Sequence, residues 1–448
     1  MEKMNVGALV EKYFDDYKKD LATLISHDSV NAPPEDGAPF GKGVDGALRA
    51  MIAIADRMGF QTFRAADGHY GYADIGEGDV LFGVIGHLDV VPVGDPAKWE
   101  YPPFTMTEKD GYLYGRGSQD DKGPLLASMY ALKILLDQGA KLNKRVRFIF
   151  GTDEESLWRG IKAYAEKEEH PSMGITPDAD FPLIYAEQGL VEFTLTSNEK
   201  SDILFKGGTA LNAVPAAATI AADEKLEAAL ADLEYGFEKE NGEITVVGKT
   251  THALEAEKGI NAVVRLAEAL AKSGKSNKML QFIVEKANNP RGKGIFDAVK
   301  DDESGHLVFN LGLADFTAEK QTIGVDIRFP VKTSRDDIEA LLKKAAEPYG
   351  ISVEQFDYLH PLYVDVNTEL VQKLMQAYQE VTGDMKSQPI ATGGATYARS
   401  MDNIVAYGAT LPGKVSTEHQ VNERAVADEL KTAMEVYIKA FELLVVEG

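Results

Sequence analysis

The sequence contains no cysteine, no positive net charge and no long hydrophobic run, and each absence excludes a class of protein. Without cysteine among its 448 residues, the chain can form neither a disulfide nor a thiolate metal site, which favours a reducing cytoplasm. The formal net charge of −24 disfavours nucleic acid and anionic membranes as partners, because both repel an acidic surface. No apolar segment is long enough to cross a bilayer, and the first stretch, MEKMNVGALVEKYFDDYKKDL, is unlike a signal peptide. We therefore expect a cytoplasmic protein.

The chain is too long for a single hydrophobic core, and its pattern changes twice along its length. Residues 1–187 alternate buried strands, such as DVLFGVIG and RVRFIFG, with amphipathic helices, which is typical of an α/β domain whose mainly parallel sheet is flanked by helices. Residues 188–360 consist mainly of strands with alternating polarity, and residues 361–448 return to the α/β pattern. The sequence therefore predicts one α/β domain, 1–187 with 361–448, that is interrupted by an inserted α+β domain, 188–360.

Polar residues gather where the strands of the predicted α/β domain end. His87 and Asp89 follow a buried strand two residues apart, so their side chains leave the chain on the same face. The other polar residues near element ends are Asp120, Asp121, Glu154, Glu155, Asp178 and His419. Because the carboxyl ends of strands line the ligand crevice in open α/β sheets, these side chains could converge. Two histidines with three or more carboxylates suit a pair of divalent ions.

Each of these residues also has an ordinary structural explanation when it is taken alone. An aspartate before a helix is usually an N-cap, and two adjacent glutamates usually form a solvated surface. The glycine-rich stretch YGRGSQDDKG resembles a phosphate-binding loop but lacks the GK[ST] ending. The remaining histidines, except His252, are typical of surface or capping positions. The order of the motifs along the chain is what favours a functional site.

In that order, GHLDVVP, YGRGSQDDKG, GTDEES, TPDADFP, GGATYAR and TEHQVNE resemble the dinuclear-zinc exopeptidase family that includes aminoacylase-1, succinyl-diaminopimelate desuccinylase and peptidase V. The resemblance extends over nearly the whole chain. It is strongest to the bacterial peptidase V group of carnosinase-like dipeptidases, through GGTALNAVP, GKTTHALEAEKGINA and VDIRFPV. It implies a catalytic α/β domain and makes the inserted domain a lid.

The resemblance also implies two divalent metal ions and the residues that hold them. His87 and Asp178 would hold one ion, Glu155 and His419 would hold the other, and Asp120 would bridge them. Zinc is the metal expected from the family. Manganese or cobalt would also suit a site made mostly of carboxylates, because oxygen ligands discriminate weakly among these ions.

Three further residues beside the predicted ligands receive roles. Glu154 would be the general base, which takes a proton from the attacking water and returns it to the leaving amine. Asp89 would accept the N–H of the His87 imidazole and fix its tautomer. Asp121 has no implied metal role and is predicted to cap the following helix.

The inserted domain contributes residues that would contact the substrate. His252 would donate a hydrogen bond to the developing oxyanion, although without the resemblance it would be interpreted as a surface histidine in a turn. Asn212, Arg328 and the backbone N–H of Gly394 would hold the carboxylate at the end of the substrate. Arg328 lies in a predicted strand and could instead pair with one of the many acidic residues.

These expectations together predict an enzyme that hydrolyses dipeptides with a water activated by two metal ions. Deacylation of N-acyl amino acids is an alternative that needs the same metals and base but a different pocket. A non-catalytic binding protein is a third possibility, and the presence of Glu154 with all five predicted ligands disfavours it. The inserted domain is large enough to bring its own His252 to the site, so we expect a monomer.

Overall fold

The computed structural model describes residues 5–447 and divides the chain into two compact units. Unit 1 contains the described residues up to Ala186, then Tyr363–Ile390, then the described residues from Ala395 onward. Unit 2 contains Glu187–Leu362 together with Ala391–Gly394. The sequence pattern gave no sign that residues 391–394 group with unit 2.

The helices and strands are numbered in chain order. The helices are α1 (Val6–Ile25), α2 (Lys42–Arg57), α3 (Lys122–Asp137), α4 (Arg159–Lys167), α5 (Glu224–Asp232), α6 (Ala262–Lys272), α7 (Lys278–Glu285), α8 (Arg335–Ala346), α9 (Glu369–Thr382) and α10 (Ala427–Leu444). The strands are β1 (Gln61–Arg64), β2 (Gly71–Ile75), β3 (Leu81–His87), β4 (Thr107–Lys109), β5 (Tyr112–Tyr114), β6 (Arg145–Gly151), β7 (Met173–Thr176), β8 (Ala179–Asp180), β9 (Ile184–Glu187), β10 (Gly189–Ser197), β11 (Phe205–Gly207), β12 (Ala217–Ala221), β13 (Phe237–Glu240), β14 (Glu243–Val247), β15 (Val308–Phe316), β16 (Gln321–Phe329), β17 (Ser352–Leu359), β18 (Leu362–Tyr363), β19 (Ile390–Thr392), β20 (Ile404–Ala406), β21 (Ala409–Thr410) and β22 (Arg424–Val426).

Unit 1 is built on a sheet whose central strands are parallel. β3 lies between β6 and β7, and β20 extends this parallel core beyond β7. The sheet is mixed, because antiparallel pairs of strands lie on both sides of its parallel core: β6 with β2 and β2 with β1 on one side, and β20 with β9 on the other. Every residue of β3 is buried, as expected for a strand with helices on both faces. The helices α1, α3 and α10 pack together, and α3 also packs against β3.

Unit 2 is an antiparallel sheet with helices packed against it. Its strand order is β13-β14-β12-β11-β15-β16-β10-β17. From Val191 onward, residues of β10 alternate between buried and partly exposed positions, which indicates that one face of the strand is covered. Val191, Phe193 and Leu195 of this strand belong to the same buried cluster as Leu266 and Leu270 of α6. The predicted fold class, an α/β domain interrupted by an α+β domain, is confirmed.

No helix among residues 5–447 has both the length and the apolar character required to cross a membrane.

Candidate active site

The ends of the central strands of unit 1 bring the predicted polar residues together. His87 is the last residue of β3, and Glu154 and Glu155 follow β6, its parallel neighbour. Asp178 follows β7, the parallel neighbour on the other side of β3. Because parallel strands end at the same edge of a sheet, residues that are far apart in sequence meet here.

Asp120 lies between the two histidines of the predicted site. Its Oδ1 atom is 2.9 Å from Nε2 of His87, and its Oδ2 atom is 3.0 Å from Nε2 of His419. His87 Nε2 is also 3.5 Å from Asp178 Oδ2, and His419 Nε2 is 3.2 Å from Glu155 Oε1. Each oxygen of Asp120 therefore faces a different histidine, as the carboxylate of a bridging ligand would.

The donor atoms fit divalent ions. One ligand atom from each of His87, Glu154 and Asp178 lies within 4.8 Å of the others, and the same holds for His87, Asp120 and Glu155. Nε2 of His87 is buried and makes no hydrogen bond of good geometry among the described residues, although Asp120 Oδ1 lies 2.9 Å away. A buried nitrogen without a well-directed hydrogen bond costs free energy, which coordination to a metal would offset. Glu154 belongs to the first group, so its carboxylate lies beside the ion that His87 and Asp178 would hold.

The electrostatics of the site favour binding of cations. Burial raises the pKa of Asp178 and of Glu155 to about 7, and the nearby Asp120 carboxylate adds to both shifts. Burial also raises the pKa of Glu154 well above its usual range, with repulsion from Asp178 and other carboxylates. Hydrogen bonds to Asp120 and Glu155 raise the pKa of His419 to about 11. The protein without metal therefore retains protons that a bound cation would displace.

Asp89 has a different hydrogen-bonding role from the one predicted. His87 Nδ1 donates to the backbone carbonyl of Asp89 at 2.9 Å, whereas the Asp89 carboxylate is 3.6 Å away. That carboxylate instead accepts the backbone N–H groups of Glu154 at 3.1 Å and Glu155 at 3.0 Å. The predicted acceptor was therefore wrong, because the two consecutive N–H groups after β6 bind the carboxylate. A carbonyl can only accept, so Nδ1 carries the proton, and in the neutral ring Nε2 keeps its lone pair for a metal.

Asp121 also differs from its predicted role as a helix cap. It occupies the N-cap position of α3, but its side chain makes no capping hydrogen bond. Its backbone angles, φ −119° and ψ 5°, lie outside the extended region that N-cap residues usually adopt. Its fully buried carboxylate accepts the backbone N–H of His87 at 3.2 Å. Burial and repulsion from Asp178 raise the pKa of this carboxyl well above its usual range.

Three residues near the site were not singled out from the sequence. The ring of Tyr397 lies edge-on to the ring of His87, with their centroids 6.3 Å apart. Glu423 and Gln119 make hydrogen bonds between the loops that carry His419 and Asp120. All three lie inside the sequence motifs, but a single sequence does not show which motif residues contact the site.

Unit 2 holds the other predicted residues, and two of these lie on adjacent backbone segments. Ala213 forms an antiparallel bridge with His252, and the N–H of Ala253 donates to the carbonyl of Asn212 at 2.8 Å. Nδ1 of His252 accepts the N–H of Leu254 at 3.2 Å. The neutral imidazole therefore carries its proton on Nε2, the form that can donate to an oxyanion.

Arg328 and Gly394 make hydrogen bonds inside unit 2. Nε and Nη2 of Arg328 donate to the two carboxylate oxygens of Asp326 at 2.9 and 3.2 Å, and Nη1 donates to the carbonyl of Gly393 at 3.0 Å. This is the pairing with an acidic residue that the sequence left open. The N–H of Gly394 donates to the Thr392 hydroxyl at 3.1 Å.

Residues 83–443 match the sequence model of the family described as Peptidase family M20/M25/M40. The chain belongs to this family. The M20 chain is 34% identical to the Bacillus subtilis (strain 168) protein described as "Putative dipeptidase YtjP", over 92% of this chain and 93% of that protein. It is 33% identical to a Staphylococcus aureus (strain USA300) protein with the same kind of description, over 98% of this chain and 99% of that protein. The resemblance indicated by the motifs is confirmed.

Solved structures share the fold of this M20 chain. Human carnosine dipeptidase 1 matches with a TM-score of 0.60 and 13% identity, over 98% of each chain. The dipeptidase Dug1p from Saccharomyces cerevisiae matches with a TM-score of 0.59 and 13% identity, over 97% of this chain and 98% of that chain. At such low identity, these matches show the common architecture.

Proposed function

We propose that this M20 peptidase hydrolyses dipeptides with two divalent ions and with Glu154 as the general base. The observation that carries the proposal is the position of Asp120, whose two oxygens face His87 Nε2 at 2.9 Å and His419 Nε2 at 3.0 Å. Relatives described as dipeptidases that align over nearly the whole chain support the same substrate class.

The proposed ligands divide into two sets that share Asp120. His87 and Asp178 would hold one ion, and Glu155 and His419 would hold the other. When bound, the ions would polarise the scissile carbonyl and lower the pKa of water. We propose zinc as the resident metal, with manganese and cobalt as the alternatives that this carboxylate-rich set also suits.

We propose that Glu154 transfers the protons of the reaction. Its carboxylate is close to the ligand atoms of His87 and Asp178, and burial raises its pKa well above its usual range, which makes it a stronger base than an exposed glutamate. It would take a proton from the attacking water and give it to the nitrogen of the leaving amine. Asp89 would keep Glu154 and Glu155 in position, because it accepts both of their backbone N–H groups.

Unit 2 would supply the contacts that recognise the substrate. The Nε2–H of His252 would donate to the oxygen that becomes negatively charged as the peptide bond is attacked. Asn212, Arg328 and the N–H of Gly394 would hold the substrate carboxylate. In this clamp, Nη1 of Arg328 would donate to the substrate carboxylate instead of the Gly393 carbonyl, and the N–H of Gly394 would donate to it instead of the Thr392 hydroxyl. Asp326 would keep the guanidinium of Arg328 oriented.

Activity of metal-stripped protein that is resupplied with zinc, manganese or cobalt tests the proposal. The substrates are a panel of dipeptides and a panel of N-acetyl amino acids. We expect two ions per chain and faster hydrolysis of dipeptides. Faster hydrolysis of the N-acetyl amino acids would make the chain a deacylase, and binding of dipeptides without hydrolysis under any metal would make it a binding protein.

The proposal also includes a monomeric enzyme in the cytoplasm. We propose that His252 acts in the chain that supplies the proposed metal ligands, on the basis of the length of the inserted segment, residues 188–360. Sedimentation of the metal-loaded protein measures the oligomeric state, and cell fractionation with an antibody to the chain measures its location.

A further inference from the structure

The loop that carries His419 is attached to the loop that carries Asp120 through Glu423. The Glu423 side chain is fully buried, and its Oε2 atom accepts a hydrogen bond from Nη1 of Arg116 at 2.7 Å. Its Oε1 atom accepts three backbone N–H groups, from Gly117 at 3.0 Å, Gln119 at 2.9 Å and Asp120 at 3.2 Å. A buried carboxylate with this many donors holds the backbone around Asp120 strongly, because hydrogen bonds to a charged group are stronger than neutral ones.

Gln119 makes the reciprocal attachment, from the Asp120 loop to the His419 loop. Its Oε1 atom accepts the backbone N–H of Thr417 at 2.8 Å and lies 2.8 Å from the Thr417 hydroxyl. The hydroxyl also accepts the N–H of Arg424 at 3.0 Å, which closes the loop 417–424 on itself. His419 lies within this closed loop with a φ of 59°, a left-handed conformation that is uncommon for a residue other than glycine.

We propose that Glu423 and Gln119 form a clasp that fixes the distance between Asp120 and His419, and that this distance sets the affinity for the ion that His419 and Glu155 would hold. The inference rests on the proposed two-metal site. Neither clasp residue is a proposed ligand, so both are positioning residues.

The clasp affects the affinity for the ion proposed for His419 and Glu155 more than that for the ion proposed for His87 and Asp178, because the two ligand sets are positioned by different parts of the fold. His87 is 1% exposed and ends β3, and Asp178 follows the adjacent strand β7, so the sheet positions both. The His419 side chain is 55% exposed and lies on a loop. The clasp joins that loop to the backbone beside Asp120, so loss of the clasp releases His419 without moving the strand ends.

Gln119→Leu is the main test, because it removes both hydrogen bonds to Thr417 and leaves the buried pair of Glu423 and Arg116 intact. Equilibrium dialysis followed by elemental analysis gives the number of ions and their affinities. We expect one ion to bind about 10- to 100-fold more weakly, the usual effect of losing a group that orients a ligand, and the other to keep its affinity. Gln119→Glu retains the acceptor and is expected to bind both ions. Gln138→Leu makes the same substitution at an exposed position beside the end of α3 and serves as the matched control.

Thr417→Val tests the clasp from the opposite side. It removes the hydroxyl that contacts Gln119, and we expect the same selective loss of one ion. Both substitutions remove the hydroxyl contact with Gln119, whereas only Thr417→Val also removes the hydrogen bonds between that hydroxyl and the Arg424 backbone. The double variant Gln119→Leu/Thr417→Val should therefore lose less affinity than the sum of the two single losses.

The role of Glu423 is tested with its partner, because Glu423→Leu alone would leave Arg116 charged and buried. The pair Glu423→Gln/Arg116→Met removes both charges and retains an oxygen that can accept the three N–H groups, so it is expected to bind two ions. Glu423→Leu/Arg116→Met has no such oxygen and leaves the backbone N–H of Asp120, the residue proposed to contact both ions, without its acceptor, so it is expected to bind both ions more weakly.

The outcomes separate this inference from the proposed function. If the wild-type protein binds no divalent ion, the two-metal site itself is wrong. If the wild-type protein binds two ions and Gln119→Leu binds both with unchanged affinity, or loses both equally, the clasp does not have the proposed role. Loss of an ion from Gln119→Glu would also overturn it.

Discussion

Asp89→Asn is the substitution that most directly separates the hydrogen bonding seen here from the one expected from sequence. Asp89 is fully buried, and its two oxygens accept the N–H groups of Glu154 at 3.1 Å and Glu155 at 3.0 Å. In the asparagine variant, one of these N–H groups would face an N–H₂ group instead of an oxygen. The hydrogen bond from His87 to the Asp89 carbonyl, at 2.9 Å, would remain.

The expected loss of stability in Asp89→Asn follows from the loss of one hydrogen bond to a charged acceptor. Such a bond contributes about 1.5–3 kcal/mol, so we expect the free energy of unfolding of the metal-free protein to fall by about 2 kcal/mol. Because the N–H groups belong to the proposed base and its neighbour, we also expect kcat at saturating metal to fall about 10- to 100-fold.

The assay combines thermal unfolding without metal, metal affinity, and kcat at saturating metal. Asp110→Asn, the same change at an exposed position, is the control and should match the wild type in all three measurements. If Asp89→Asn weakens metal binding but keeps the wild-type kcat once metal is saturating, its carboxylate acts on His87 and the reasoning is refuted.

Four further predictions concern the base, the chain that supplies His252, the substrate clamp and pH. Glu154→Gln should retain both ions but lower kcat at least about 100-fold, and loss of the ions by elemental analysis would reassign Glu154 as a ligand. Mixing inactive His252→Ala chains with inactive Glu154→Gln chains should restore no activity, whereas recovery would require a site shared between subunits. Arg328→Lys should lower kcat/KM for dipeptides more than for dipeptide amides, because lysine keeps the charge but loses the planar fork; equal losses would remove Arg328 from the clamp. The pKa values of Asp178 and Glu155 are raised to about 7 from 3.8 and 4.5, so their stabilising effect is complete at low pH and is lost as pH rises through 7. The Tm of chelator-treated protein should therefore decline as pH rises from 4.5 to about 7 and should recover on addition of zinc. A Tm that rises with pH in this window would contradict these shifts.

The sequence could predict which strand ends carry polar residues, because strand pattern and motif position are local properties. His87, the glutamate pair and Asp178 follow buried strands that are parallel neighbours in the structure, so their convergence required only the fold class. The metal roles of these residues came from the family resemblance, and they stay predictions.

The sequence could not predict the contacts that depend on backbone direction or on distant residues. Whether His87 binds the carbonyl or the carboxylate of Asp89 depends on how the chain turns after β3. Asp121 stands at the start of a helix, as N-caps do, but its fully buried side chain points to His87. Glu423 contacts Gly117 across 306 positions of sequence, and no local pattern marks such a pair.

The division of unit 1 by unit 2 has a consequence for the order in which the protein can fold during synthesis. Unit 2 is nearly continuous, so it can form as soon as residues 187–362 have been made. Unit 1 cannot complete its sheet until β20, which lies between β7 and β9, has left the ribosome. His419 follows still later. A nascent chain that already contains His87, Asp120, Glu155 and Asp178 therefore exposes an unfinished sheet and an acidic, incomplete set of proposed ligands until almost all of it has been translated.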